Sequence, residues 1–354
     1  MKRLIFFAIL TLVSYFGFAQ KNIVQLSSAL NALQQDPQFK HATLSIYVVD
    51  GNSGKLLLEK NAQQGLATAS CLKVVTSASA FEMLGKDYRY KTRIHLYGNI
   101  QGGILYGGLI GNGIGDPTLG SWRYESTKDT QFFKQTVHAL KRMGIRSVMR
   151  RTYTFRNVFD PNLIPGGWPW EDLGNYYGAS PASLNWHENQ YDLMLASGEK
   201  IGDPVKVVKT IPGSAYQPFH NNLKSAAKGT GDNANIYLGL AGEMGTLSGT
   251  VPVGEKAFVI SGAVADPYAF FENALDDFLI GQGMMDAKAL KPTSDDSTII
   301  TNDLAPLMVA DNISPALDSI NYYFLKRSVN LYGEALVKSI AYEKTQRGAT
   351  DAGI

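Results

Sequence analysis

Residues 66–84, with the sequence LATASCLKVVTSASAFEML, place a serine and a lysine at the start of a long run of helix-forming residues. Lys73 follows Ser70 by three positions, and on a helix this spacing brings both side chains to one face. A serine attacks a carbonyl when a base lies beside it, and a lysine can be that base if it is held neutral. The N-terminus of a helix also favours the negative oxygen that develops. The stretch therefore predicts a helix that begins with a nucleophilic serine and its base.

The S-x-x-K spacing occurs three times in this chain, so the surrounding sequence has to distinguish the copies. Ser197 with Lys200 lies in a polar turn, and the Gly-Thr-Gly that follows Lys228 stops any helix begun at Ser225. Only Ser70 leads into a run that can pack on a core. The simpler alternative is a helix cap at Ser70 followed by a solvated lysine. The core-facing residues predicted for this helix are Leu72, Val75, Ser79 and Phe81.

Composition limits the class of protein. The chain has 354 residues, of which 45% are hydrophobic, enough to bury a large core in more than one domain. A formal net charge of +2 gives no reason to expect nucleic acid or an anionic membrane surface as a partner.

The N-terminus has the pattern of a secretory signal peptide. Met1–Arg3 is basic, Leu4–Phe18 is apolar, and small residues precede a cleavage site near Ala19. A retained signal anchor is the alternative, but the apolar run is shorter than the ~20 residues of a membrane-spanning helix. We therefore expect residues 1–20 to be removed and the mature protein to be periplasmic or otherwise exported, without a membrane span.

The single cysteine, Cys71, directly follows the predicted nucleophile. Its position suggests a cysteine hydrolase, but no histidine lies near it in the sequence. Packing of a neutral thiol on the helix is the simpler interpretation, and we expect that role.

The pattern along the chain predicts a helical domain that is interrupted by a strand-rich insertion. A hairpin of strands at 42–50 and 55–60 precedes the Ser70 helix, and dense glycines between 98 and 115 suggest strands with tight turns. The helical pattern leaves near residue 90 and returns near 290. The other predicted helices cover residues 24–35, 131–143, 266–281, 304–308 and 316–325.

A second group of polar residues lies near the C-terminus. Ser328 and Asn330 form an S-x-N pair just before a helix. In a serine–lysine site, a hydroxyl here can pass a proton to the leaving amine, and an amide can hold the substrate backbone. Helix capping is the alternative, because Ser and Asn both favour N-caps. The same spacing also occurs at Ser183 with Asn185 and at Ser319 with Asn321.

Together these motifs resemble those of the D-alanyl-D-alanine carboxypeptidase/endopeptidase family, the low-molecular-mass class C penicillin-binding proteins. That family inserts large domains between its S-x-x-K and S-x-N motifs. The stretches that are similar to family signatures are Thr68–Thr76, Gly115–Leu119 (GDPTL), Gly167–Gly178 (GWPWEDLGNYYG) and Ser328–Ala335 (SVNLYGEA).

The resemblance implies an α+β fold, in which a β-lactamase/transpeptidase-like domain with helices on an antiparallel sheet carries large strand-rich inserted domains. Residues 21–92 would be the first part of that domain, 93–290 the insertion and 291–354 the second part.

The resemblance also implies a role for each matching residue. Ser70 would be the nucleophile, Lys73 the general base, Ser328 the proton shuttle and Asn330 the residue that orients the substrate. The substrates would be peptidoglycan stem peptides, and β-lactams would be inhibitors that acylate Ser70. The implied chemistry requires no metal and no organic cofactor.

The third family motif does not occur downstream of Ser328, where neither K-T-G nor K-S-G is present. Lys344-Thr345-Gln346 would lie on or just past the helix that follows Asn330. The missing lysine would help to keep Lys73 neutral and to bind the substrate carboxylate, and its strand would extend the sheet begun by residues 42–60. We therefore expect a fragment or a truncated reading frame, incomplete at the C-terminus and impaired as a catalyst.

Two further expectations concern substrate choice and alternative functions. Phe155-Arg156-Asn157 stands where the family often has an acidic residue, so the resemblance does not imply recognition of a diamino acid. A non-catalytic cell-wall-binding or scaffold protein of the same fold is the main alternative function. A β-lactamase is a third, although small β-lactams need no large insertion.

Overall fold

The structure, a computed structural model, describes residues 22–128, 130–156, 158–215, 217–239, 244–290 and 307–354. The predicted signal peptide therefore lies outside the described residues. The chain divides into two compact units, with the boundary between Ala69 and Ser70. Among the helices in the described ranges, none is both long enough and apolar enough to cross a membrane.

The first unit consists of a helix and a hairpin. Helix α1 covers residues 22–35, and strands β1 (Ile46–Val49) and β2 (Leu56–Lys60) pair antiparallel in a two-stranded sheet. Lys60 donates a hydrogen bond to Gln34 and so ties the hairpin to α1. The predicted helix and hairpin are confirmed, although the strands are shorter than expected.

The second unit contains seven helices and twelve strands in the described ranges. The helices are α2 Leu72–Leu84, α3 Gln131–Arg142, α4 Trp170–Leu173, α5 Pro267–Gly281, α6 Leu317–Arg327, α7 Asn330–Thr345 and α8 Thr350–Gly353. The strands are β3 Lys91–Gln101, β4 Ile104–Gly113, β5 Ser147–Val148, β6 Tyr153–Thr154, β7 Gln190–Ala196, β8 Lys206–Ile211, β9 Phe219–Asn221, β10 Lys224–Ala226, β11 Asn233–Tyr237, β12 Gly245–Pro252, β13 Phe258–Ala263 and β14 Leu307–Ile313.

These strands form three sheets. The first has the order β14-β3-β4-β5, with β6 also paired to β4; the second has the order β13-β7-β8. The third has the order β10-β12-β11, with β9 also paired to β12. The long strand pairs, β3 with β4 and β14 and β7 with β8 and β13, are antiparallel and are not joined as βαβ units, which makes the fold α+β.

A helical core joins α2 to α6 and α7. Ala80 from α2, Phe324 from α6 and Tyr332 from α7 are all fully buried in one apolar cluster. Tyr90, which follows α2, belongs to the same cluster. Segments from both ends of the second unit therefore build one core, and α2 lies directly against α7.

The face that α2 turns towards this core differs from the predicted one. Leu72 and Val75 are 55% and 61% exposed, whereas Ser77 and Ala80 are buried. Of the three apolar residues predicted to face the core, only Phe81 packs against the cluster. The prediction assigned the face by apolar residues, whereas the buried positions are the small residues Ser77 and Ala80, and Ala80 packs in the cluster that contains residues of α7.

A second core fills the strand-rich part of the chain. It gathers buried apolar residues from β3, β4, α3, β7, β12 and α5, among them Leu109, Phe133, Leu193 and Phe271. The glycine-rich stretch is one long hairpin, in which β3 and β4 pair from Thr92 with Gly113 to Gln101 with Ile104.

The glycines of this hairpin serve close packing as well as the turn. A Cβ on Gly107 would lie 1.9 Å from the Tyr97 carbonyl oxygen of the paired strand. Gly102 and Gly103, both with positive φ, form the turn. The expected short strands with several tight turns are therefore replaced by two long strands and one turn.

One predicted helix is wrong. The stretch 304–308 was expected to be helical, but Leu307 and Met308 begin strand β14, and 304–306 lie outside the described residues. Strand β14 pairs antiparallel with β3, whose other edge is covered by β4. Tertiary pairing of an otherwise open strand edge outweighs a weak local preference here.

Candidate active site

Ser70 stands immediately before helix α2, in the short 3₁₀ turn Ala69–Cys71. Its side chain does not cap the helix, because the N-cap residue is Cys71 and no side-chain cap bond forms there. Instead the Lys73 Nζ donates a hydrogen bond of 3.1 Å to the Ser70 Oγ. The Cys71 side chain is exposed, so its predicted packing role is wrong; the buried residues of α2 are Ser77 and Ala80, further along the helix.

Ser328 and Asn330 come from the junction of α6 and α7. Ser328 ends α6 in the left-handed conformation, with φ 54° and ψ 42°, and Asn330 is the first residue of α7. The N-cap of α7 is Val329, without a side-chain cap bond. Neither polar side chain is therefore an N-cap, and both are available to other partners.

These partners are the residues at the start of α2. The Ser328 Oγ donates to the Ser70 Oγ at 2.8 Å, and the Lys73 Nζ donates to the Asn330 Oδ1 at 2.6 Å. The Asn330 Nδ2 in turn donates to the Tyr177 carbonyl oxygen at 2.8 Å. Two residue pairs that are more than 250 positions apart in the sequence thus form one connected cluster.

The protonation of Lys73 is set by burial and by one carboxylate. Burial lowers the pKa of Lys73, and the carboxylate of Glu334, one turn beyond Asn330 on α7, opposes this shift. Burial raises the pKa of Glu334, while Lys338 and Lys73 act in the opposite direction. The net effect is a Lys73 ammonium that loses its proton more easily than an ordinary lysine does.

A cavity of about 290 Å³ opens beside this cluster. Its size is at the lower end of the range for ligand pockets. The lining residues include Ser70, Ser328, Asn330, Tyr176, Tyr177, Gln190, Arg123 and Arg327. A peptide or another small acyl compound that enters this cavity therefore meets the Ser70 hydroxyl.

A buried carboxylate supports one wall of the cavity. The Oε1 of Glu188, which is fully buried, accepts hydrogen bonds from Ser121 at 2.6 Å, from the Arg123 Nε at 2.8 Å and from the Tyr332 hydroxyl at 2.8 Å. Tyr332 lies on α7, two residues after Asn330. The network therefore connects the loop that follows GDPTL to the helix that carries Asn330.

The GDPTL loop is itself held by buried polar contacts. The Asp116 Oδ1 accepts from the Thr118 N at 2.8 Å and from the Thr118 Oγ1 at 2.6 Å. Burial raises the pKa of Asp116 to about 6, although these two hydrogen bonds lower it. A Cβ on Gly115 would lie 2.2 Å from the ring of Phe159, so this position requires glycine.

The other copies of the two motifs do not form comparable clusters. The Ser197 Oγ donates to the Pro252 carbonyl oxygen at 2.6 Å, and Ser225 lies in β10, where its Oγ accepts from the Gly198 N at 2.9 Å. Ser183 and Asn185 are buried and bond mainly to backbone groups. These copies stabilise the local structure.

The sequence matches the D-Ala-D-Ala carboxypeptidase 3 (S13) family over residues 26–354. The chain belongs to this family. A D-alanyl-D-alanine carboxypeptidase of Actinomadura sp. (strain R39) is 28% identical over 352 residues, which are 94% of this S13 chain and 60% of the relative. A D-alanyl-D-alanine carboxypeptidase DacB of Haemophilus influenzae is 27% identical over 156 residues, or 44% of this chain and 31% of the relative.

Two solved structures have the same fold as the S13 chain. Penicillin-binding protein 4 (dacB) from Haemophilus influenzae superposes with a TM-score of 0.68 at 21% identity, over 87% of this chain and 65% of the other. The same protein complexed with a novel β-lactam gives a TM-score of 0.62 at 19% identity, over 87% and 63%. The predicted α+β, transpeptidase-like fold is confirmed, and the chain spans less than two thirds of these relatives.

Sequence reasoning missed several residues of the site in this S13 chain. Arg123 lies four residues after the GDPTL signature, and Tyr177 and Glu334 lie within the family-like stretches Gly167–Gly178 and Ser328–Ala335, but no spacing rule gave them a role.

Lys344 is on the last turn of α7, as expected. In place of the acidic residue, Arg156 lies 3.5 Å from a carboxylate oxygen of Asp266, outside the cavity lining.

Proposed function

We propose that this chain is a serine-type D-Ala-D-Ala carboxypeptidase or endopeptidase that acts on peptidoglycan stem peptides through an acyl-serine intermediate. The observation that carries the proposal is the chain of hydrogen bonds that connects Ser328, Ser70, Lys73 and Asn330 beside an open cavity. Family membership and the names of the relatives agree with it.

The proposed reaction begins with the Ser70 Oγ, which attacks the carbonyl carbon of the penultimate D-alanine. Its proton passes to the neutral Lys73 Nζ, 3.1 Å away in the free enzyme. When the C–N bond breaks, the leaving amine takes a proton that Lys73 supplies through the Ser328 hydroxyl, which already contacts the Ser70 Oγ. Water then hydrolyses the ester and frees Ser70.

The environment of Lys73 suits the role of a base. Burial lowers its pKa, so a larger fraction is neutral near pH 7 than for a solvated lysine. Asn330 accepts from the Lys73 Nζ and donates to the Tyr177 carbonyl oxygen, which fixes the amide orientation. We propose that this amide orients the substrate backbone and that the Ser70 N–H contributes to the oxyanion hole.

The proposal extends to the domain organisation and to the location. The helical core is built mainly from residues 80–90 and 317–340, joined by Tyr124, whereas the strand-rich core is built almost entirely from residues 94–290. This division supports a strand-rich insertion between the two helical segments of the second unit, and we propose 21–92, 93–290 and 291–354 as the bounds of the first part of the transpeptidase-like domain, the insertion and the second part. The basic and apolar residues of the N-terminus support export, with peptidoglycan as the partner and β-lactams as inhibitors.

The decisive experiment is acylation of the purified chain by a fluorescent penicillin. We expect a covalent adduct of one penicillin per chain, mapped to Ser70 by peptide mass spectrometry, with no adduct on a Ser70→Ala variant. Intact-mass measurement over hours registers slow as well as fast acylation. Release of D-alanine from a diacetylated Lys-D-Ala-D-Ala peptide is then measured on the same preparation.

The results separate the alternatives. An adduct on another residue, or none on a chain shown by circular dichroism to be folded, would contradict the proposal. Penicillin binding without D-alanine release, together with retention on peptidoglycan, would instead support the non-catalytic wall-binding function.

A further inference from the structure

The cavity beside Ser70 is bordered by positive side chains. Two arginines, Arg123 and Arg327, line it, and no carboxylate is among the described residues that do so. Arg327 is exposed, whereas Arg123 is half-buried. Because a guanidinium stays charged and offers five N–H donors, such a wall favours an anionic ligand group.

Arg123 is held in one orientation from behind. Its Nε donates to the Glu188 Oε1 at 2.8 Å, and its guanidinium lies 5.2 Å from the centre of the Trp122 ring. Glu188 is fully buried and does not line the cavity. Burial lowers the pKa of Arg123, but the Glu188 carboxylate reverses this and the net shift is upward. The guanidinium is therefore preorganised as well as charged.

Glu188 does not depend on Arg123 as its sole hydrogen-bond donor. The same Oε1 accepts from the hydroxyls of Ser121 and Tyr332. The ion pair uses only the Nε of Arg123, and the planar fork of the remaining nitrogens matches a carboxylate in bidentate geometry. An arginine that served only to neutralise Glu188 would not need a place in the cavity wall.

We propose that Arg123, oriented by Glu188, is a carboxylate-binding residue of the substrate site. This inference rests on the proposed function, because the ligand is the peptide whose carbonyl Ser70 attacks. Two carboxylates of such a peptide have the required chemistry: that of the C-terminal leaving residue, and a side-chain carboxylate on the acyl side of the scissile bond. Glu188 is a positioning residue that acts through Arg123.

The test measures equilibrium binding in a Ser70→Ala background, so that acylation does not interfere. Two matched pairs of acetylated D-Ala-D-Ala peptides are titrated by calorimetry. The first pair has a free or an amidated C-terminus, and the second has glutamate or glutamine before the two alanines. We expect one pair to show roughly a ten-fold or greater preference for the carboxylate, and Arg123→Gln to abolish it. The pair of peptides that shows the preference identifies which carboxylate, C-terminal or side-chain, Arg123 binds.

Three variants make this result specific. Arg142→Gln removes the same charge from the exposed end of α3, outside the cavity, and should leave the preference unchanged. Arg123→Lys should restore only part of it, because lysine lacks the planar fork. Glu188→Gln should reduce the preference for the carboxylate, while binding of the neutral peptide of each pair stays the same. If Arg123→Gln unfolds, the Arg123→Gln/Glu188→Gln double variant avoids an unpaired buried charge.

Two outcomes would overturn the inference: no carboxylate preference in either pair, or a preference that survives the loss of Arg123. Either result can occur while Ser70 of the wild-type chain still reacts with penicillin. Conversely, Arg123-dependent binding without acylation at Ser70 would contradict the proposed function and leave the carboxylate site in place.

Discussion

The start of α2 and the region around Ser197 and Ser225 contain the same S-x-x-K spacing but use it differently. At α2 the serine hydroxyl contacts an amine and a second hydroxyl, at 3.1 and 2.8 Å. In the other region, the hydroxyls of Ser197 and Ser225 bond to backbone groups within the strand-rich core. Convergence of side chains on one another, rather than on the backbone, distinguishes a site of chemistry from a structural motif.

The S-x-N pairs differ in the same way. Ser328 and Asn330 bond to Ser70 and Lys73 beside an open cavity. Asn185, in the pair with Ser183, is 1% exposed and joins the Ala182 backbone to the Asp116 carbonyl oxygen. Substitutions in the first pair should therefore affect reaction rate, and substitutions in the second should affect stability.

The largest effect is expected at the lysines. Lys73→Met removes the proposed base, and we expect the rate of penicillin acylation to fall by about 10³-fold or more, with little change in melting temperature. Lys200→Met, at the exposed position of another S-x-x-K copy, should leave the rate within a factor of about two. Stopped-flow fluorescence with a reporter penicillin gives both rates. Equal losses in the two variants would remove the distinction between the copies.

The asparagines should separate rate from stability. Asn330→Ala should slow acylation by about 10²-fold, because Lys73 loses the acceptor that lies 2.6 Å away. Asn185→Ala should keep the rate but lower the free energy of unfolding by about 2–3 kcal/mol, because it leaves buried backbone groups unpaired. Urea denaturation and acylation kinetics on both variants test this. A stable but inactive Asn185→Ala protein would contradict it.

Helix and strand periodicity predicted most of the elements, because periodicity is a local property, whereas the family resemblance joined Ser328 and Asn330 to Ser70 and Lys73. Local pattern did not predict which face of α2 is buried, since the packing of Ala80 with residues of α6 and α7 depends on long-range contacts. Strand β14 was missed for the same reason. Arg123 and Tyr177 reach the site through loops, and no periodic pattern marks such contacts.

A smaller effect, on stability, is expected at Asp116. Its backbone carbonyl oxygen accepts a hydrogen bond from the Asn185 side chain, so it belongs with the structural Ser183–Asn185 pair. Burial raises the pKa of Asp116 from 3.8 to about 6, so folding favours its protonated form. The wild-type protein therefore loses stability as the pH rises from about 4 to about 6, by up to roughly 3 kcal/mol, and the loss persists above that range.

Asp116→Asn should escape this loss while it keeps an acceptor for Thr118. We expect the free energy of unfolding of the variant, relative to wild type, to increase between pH 4 and pH 7, as measured by urea denaturation at several pH values. Acylation at Ser70 should stay unchanged. A stability difference that does not vary with pH would show that the carboxylate is not responsible.

The smallest effect concerns the charge opposite Lys73. The base must be neutral, so acylation should accelerate as the pH rises through the pKa of Lys73. Burial lowers this pKa, and Glu334 partly opposes the shift, while both Lys338 and Lys73 lower the pKa of Glu334 itself. Glu334→Gln should therefore move the midpoint of the pH–rate profile to lower pH and speed acylation near pH 7 by a few-fold.

Glu343→Gln, which removes a carboxylate bonded to Tyr88 near the far end of α7, is the matched control and should leave the midpoint in place. A midpoint that rises in Glu334→Gln, or that moves equally in both variants, would mean that Lys73 is not the group whose ionisation limits the reaction. The cluster of Ser70 and Lys73 would then not differ chemically from the other S-x-x-K copies.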